Sequence, residues 1–128
     1  MLRTVLAVII AIITWFLVAT IGNWILRLAI PGYSAVEVSM NFTLTMMICR
    51  LVLGVASSLC GGFVCATISR NRIAPKVAAA IMVILFLPVH YMLWAKFPIW
   101  YHLFFLITLV PTILIGAGRA QIASRVID

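Results

Sequence analysis

Acidic side chains are almost missing from this chain: Glu37 and the terminal Asp128 are the only two among 128 residues. Charge of either sign is scarce, at 9% of residues, while 66% are hydrophobic. A water-soluble domain of this size needs a polar surface, and these residues cannot furnish one. Catalysis by paired carboxylates is excluded inside the apolar segments, because neither acid lies in one. No phosphate-cradling glycine loop, nucleophile elbow, HExxH or CxxC pattern occurs either. The sequence therefore names no catalytic residue, no metal and no cofactor, and the chain reads as no enzyme. Its three cysteines, Cys49, Cys60 and Cys65, all fall in one apolar segment. Cys49 and Cys60 stand about 16 Å apart along a helix, too far for a disulfide. All three read as free, buried, small apolar residues.

What is present is hydrocarbon in long continuous runs. The mean hydropathy is +1.30, and the runs lack the period-two alternation of a membrane barrel, so the spans are α-helical. Four are expected, at about 4–30, 42–69, 75–95 and 99–118, in a single all-α membrane domain. The first is too long for the apolar core of a secretory signal and lacks a convincing cleavage site, so it reads as an uncleaved span. Pro31-Gly32 marks a turn. The following stretch to Met40 is too short and polar to span, and is expected on the membrane surface or as an extension of the second helix. Prolines 88 and 111 fall inside the third and fourth spans, with Thr108 and Thr112 placed to help the carbonyl that Pro111 frees. Short connections imply an up-down four-helix bundle.

Apart from Arg50, the basic residues behind the formal net charge of +7 sit at helix ends, where positive-inside bias and anionic headgroups account for them. Nucleic acid is not an expected partner, since no basic patch with interleaved aromatics exists outside the spans. Arg3, Arg70, Arg72, Lys76, Arg119 and Arg125 fall on one side, Arg27 and Lys96 on the other. That asymmetry predicts cytoplasmic termini. Trp24, Tyr91, Trp94, Trp100 and Tyr101 would then form an aromatic belt at the outer interface.

The second span carries the two unusual features. Small residues recur at Gly54, Ser58, Gly62 and Ala66, with Ser57 and Gly61 beside them, the spacing that lets helix backbones approach closely in lipid. It also holds Arg50, about 12 Å below the outer surface if the helix enters near Phe42. A charge at that depth costs about 2.5–3.5 kcal/mol on insertion scales, so Arg50 is expected to face inward or snorkel outward. It reads either as a lock on the bundle or as a cation that binds an anion or lipid headgroup. Asn23, Glu37, Asn41, His90, Tyr91, Tyr101 and His102 lie near the same helix ends and are its candidate partners. Glu37 is expected to pair with Arg50 or Arg27. The histidines flank the short Lys96 turn at similar depths. Imidazole suits a metal, haem or a proton relay, but no further ligands accompany this pair, and interfacial histidines are the simpler reading.

The run WYHL, then Pro111, then GAGR, from Trp100 to Arg119, together with four short spans, resembles small four-span bacterial inner-membrane proteins that have no assigned function. The resemblance implies a multi-pass protein of the bacterial inner membrane and no catalytic residue. Small multidrug transporters have the same length and span count. They carry a membrane-embedded glutamate in the first helix, where this chain offers only Thr14, Thr20 and Asn23. Small flippases of lipid-linked sugars are also basic and four-spanning, but share no motif with it. The expectation is a non-enzymatic accessory or assembly subunit that binds other membrane proteins or lipid, as a homo-oligomer or within a larger complex. The alternatives are a small oligomeric transporter or flippase for an anionic or lipid-linked substrate contacting Arg50, and a quinone- or haem-handling subunit using His90 and His102.

Overall fold

The computed structural model describes residues 1–127; Asp128 lies outside them. Every regular element is a helix: α1 (Leu2–Ala29), α2 (Tyr33–Ser39), α3 (Leu44–Ser69), α4 (Ile73–Met92) and α5 (Ile99–Ile127). All but α2 are long and apolar enough to cross a membrane, which makes four candidate spans.

The helix ends follow local chemistry. Ile30 precedes Pro31, and a residue before proline avoids the helical region; it is extended, and α1 stops at Ala29. The Thr43 hydroxyl caps α3 by accepting from the Met46 amide. Asn71 Oδ1 accepts from the amides of Ile73 and Ala74 and opens α4. That helix starts before Pro75, which sits in the first turn where a missing N–H costs nothing. It ends at Met92 rather than near 95, because tight turns from Leu93 to Lys96 reverse the chain before Pro98. Helix α5 does not stop near 118: it passes through Gly116 and Gly118 and takes up the tail. The stretch after Pro31-Gly32 is a separate short helix, with left-handed Gly32 and Met40 at its ends. A glycine adopts that conformation without strain; Met40 does not.

The long helices alternate in direction, yet their order around the bundle is α1, α3, α5, α4. Helices α3 and α4, joined by the shortest loop, lie diagonally and touch less than the ring neighbours. Loop length did not reveal this, since any up-down arrangement satisfies it. As a result α3 and α5 run parallel. Gly54 meets Phe105, Gly62 meets the backbone of Ile113, and Gly116 meets the backbone of Leu59. Ala66 continues the seam against Ala117 and Ala120. A second row on α3 faces α1: Gly61 packs on Ala11 and Trp15, and Cys65 on Ala7, Val8 and Ala11. The small residues of α3 are thus filled within the chain. Ser57 and Ser58 turn their hydroxyls back to the carbonyls of Leu53 and Gly54, and Ser58 also accepts from the Trp15 indole at 3.0 Å.

Several expectations need correction. Cys60 is exposed, although Cys65 is buried. Tyr101 is buried and leaves the aromatic belt to the exposed Trp24, Tyr91, Trp94 and Trp100. The hydroxyls of Thr108 and Thr112 bond the carbonyls of Phe104, Phe105, Thr108 and Leu109. None of these is the Ile107 carbonyl, which lies four residues before Pro111.

Candidate functional site

At the end of the bundle nearer α2 and Lys96, the four long helices enclose a cavity of about 400 Å³. Its position follows from how α1 and α4 meet. At the opposite end their alanines, Ala7, Ala11, Ala74 and Ala78, pack in one cluster. Midway, bulkier rings hold them together: Phe16 stacks on Phe86, and Trp15 tilts against Phe86 at 4.7 Å. Beyond this floor, Ala19, Thr20 and Asn23 of α1 line the cavity from one wall, and Val89 and His90 of α4, with Leu93 just past its end, from the other.

Arg50 of α3 reaches the cavity from the back wall. It is half-buried, and its guanidinium lies 4.6 Å from the Phe42 ring centroid, a cation–π contact. Its Nη1 donates to the Tyr33 hydroxyl at 2.9 Å and, at a longer 3.4 Å, to Asn23 Oδ1. Tyr33 in turn donates to Asn23 Oδ1. Asn23 donates through Nδ2 to Glu37 Oε1 at 2.6 Å, and Arg27 Nε donates to Glu37 Oε2 at 2.6 Å. Glu37 therefore forms its ion pair with Arg27, and reaches Arg50 only through Asn23. Arg50 Nε is buried without a partner.

The α2 groups respond to this setting. Burial pushes the Tyr33 hydroxyl up, against the lowering effect of the Arg50 hydrogen bond, so the phenol keeps its proton and can donate to Asn23. Burial would raise the Glu37 carboxyl, but hydrogen bonds from Asn23 and Arg27, with the charges of Arg27 and Arg50, hold it below the usual carboxylate range.

The histidines meet beside the same cavity. His90 Nδ1 and His102 Nδ1 stand 2.7 Å apart. At that distance one ring donates and the other accepts, so neutral rings carry opposite tautomers. Two nitrogens each about 2 Å from one metal ion would lie farther apart. Trp94 stacks on His102, which is fully buried with its Nε2 unpartnered. Among the described residues no cluster of three or more His, Cys, Asp or Glu could hold a metal ion.

Arg50, Asn23, His90, Tyr101 and His102 all line the cavity, with Glu37 one hydrogen bond behind. Tyr91 does not: it is 82% exposed on the outer face of α4, because one residue of helix turns it about 100° from His90. Asn41 is also exposed. Tyr33 is the residue the sequence reading missed. Its only signal is an aromatic hydroxyl directly after Pro31-Gly32, in a segment without periodicity.

Comparison of the chain with protein-family models, with curated proteins and with solved structures finds no match.

Proposed function

We propose that the chain is a multi-pass protein of the bacterial inner membrane, termini cytoplasmic, that binds an anionic ligand in the cavity through Arg50. The observation that carries this reading is the charge balance there. Glu37 is taken up by Arg27 and Asn23, and among the described residues no carboxylate pairs with Arg50. A guanidinium held in a low-dielectric wall by neutral groups attracts an anion strongly. The aromatic floor and the buried histidine pair line the cavity with ring faces, the apolar contact that a site for an amphipathic molecule requires. A holding or passing role is consistent with the absence of any carboxylate pair or nucleophile–base pair at the cavity among the described residues. Transport would require an oligomer, since four helices are few for a pathway.

The test is a thermal melt of the purified protein with myristate, and with monomyristoylglycerol as the uncharged control. Myristate should raise the midpoint of the wild type and not that of Arg50→Gln. Equal protection of both proteins, or equal protection by the uncharged control, would defeat the reading.

An accessory subunit that docks on other membrane proteins remains the second reading. The α3 small-residue seam no longer motivates it, because α1 and α5 occupy that seam. Docking would use the bulky outer faces of the helices, and a stable copurifying protein partner would support it.

A further inference from the structure

The cavity has a side as well as a back wall. On α1, Phe16 is 45% exposed and yet lines it; on α4, Val89 is 42% exposed and does the same. Thr20 and Trp24 are also both exposed and lining. Residues that face outward and into a cavity at once mark its mouth. This mouth therefore opens between α1 and α4, beyond the Phe16–Phe86 stack; Phe16, Trp24 and Val89 make it largely apolar, with Thr20 and Arg27 as its polar members.

We infer that the ligand is a chain-bearing amphiphile with one negative charge, a phosphodiester or carboxylate, that enters sideways between α1 and α4 from the bilayer. The inference rests on the Arg50 reading above and adds the ligand's class and route. The charged groups at the site are Arg50, Arg27 and Glu37; Arg27 and Glu37 cancel, which leaves one positive charge for one negative charge. Lys96 is exposed and does not line the cavity. The volume of about 400 Å³ holds about a dozen non-hydrogen atoms at roughly 30 Å³ for each water-sized group. That is a headgroup and its first carbons, not a whole lipid, so the chain must leave through the mouth. A soluble anion would share the headgroup chemistry but would gain nothing from an apolar doorway.

Native mass spectrometry of the full chain in detergent separates these sources. The probes are phosphatidylglycerol, phosphatidylcholine with the same chains, and glycerophosphoglycerol, the headgroup without chains. One phosphatidylglycerol should stay bound, with about tenfold or greater preference over phosphatidylcholine, and glycerophosphoglycerol should fail to displace it. Ala19→Phe and Val89→Trp, which crowd the mouth without touching Arg50, should each lower its occupancy. Should they misfold, Ala19→Cys in a chain with Cys49, Cys60 and Cys65 replaced by alanine can be alkylated after folding and should lose occupancy on alkylation. Full occupancy with the mouth blocked, or displacement by glycerophosphoglycerol, overturns the sideways route while leaving an Arg50-dependent anion site standing. Wild-type occupancy in Arg50→Gln would remove both.

Discussion

The Tyr33 hydroxyl accepts from Arg50 at 2.9 Å and donates to Asn23 at 2.9 Å, so a residue of the short helix α2 fastens the charged side chain of α3 to α1. Removing it should do more than delete one contact. Tyr33→Phe leaves Arg50 with the 3.4 Å contact to Asn23. The expected loss is about 1.5–3 kcal/mol, the range for a hydrogen bond to a charged group. Its cost and that of Asn23→Ala should be non-additive, because both break the same network. Thermal melts of the two single variants and the double variant test this; strictly additive losses would mean that the residues act separately.

Glu37 makes the same region sensitive to acid. Its folded pKa lies below the unfolded value, so its contribution is present above the ordinary carboxylate range and is lost as pH falls through the folded pKa. Thermal midpoints of the wild type should hold steady from neutrality to about pH 5 and fall below about pH 4. Glu37→Gln should be less stable at neutral pH and lack that acid-dependent fall. The effect is modest, since the Arg27 partner is partly exposed and solvent screens the pair. Identical pH profiles for the two proteins would refute the assignment.

The glycines divide into those a methyl group would disturb and one it would not. A Cβ on Gly62 would run into the backbone of Ile113, and one on Gly116 into that of Leu59, whereas Gly118 has open space. Gly62→Ala and Gly116→Ala should each cost about 1–3 kcal/mol from overpacking, or more where the backbone cannot yield. Gly118→Ala should be neutral, or stabilising by up to about 1 kcal/mol from helix propensity. Steric-trap or detergent unfolding measurements should recover that order.

The imidazole pair makes a spectroscopic prediction. With both rings neutral, nitrogen-15 shifts should show one Nδ1–H ring and one Nε2–H ring, coupled across the Nδ1–Nδ1 contact. In His102→Phe, which keeps an aromatic ring for Trp94 to stack on, the His90 signal should lose that coupling. Two rings of the same tautomer in the wild type would mean that no such hydrogen bond forms.

Much of the site was legible for a simple reason. An arginine inside an apolar run needs polar company, and depth along each helix left few choices, among them Asn23, Glu37 and the two histidines. Rotation about each helix axis was less legible: His90 and Tyr91 are adjacent in sequence, yet one lines the cavity and the other faces outward. Tyr33 was hidden because its segment folds back as a separate short helix with no periodic pattern to orient it. The small residues of α3 announced close packing but not its partners. Pairing of α3 with α5 across an intervening helix depends on long-range fit that no loop length encodes. The cavity was least accessible to sequence reasoning, since it exists only because α1 and α4 separate beyond their aromatic floor.

The Gly62–Ile113 and Gly116–Leu59 crossings carry one more consequence. Backbones pressed together at both places resist sliding, since a slip of one residue would drive a side chain into main-chain atoms. Helices α3 and α5 therefore act as a keel. Helix α1 is packed on α3 nearly as closely, so any breathing of the molecule falls to α4, which touches its neighbours least and borders the flank where the pocket opens.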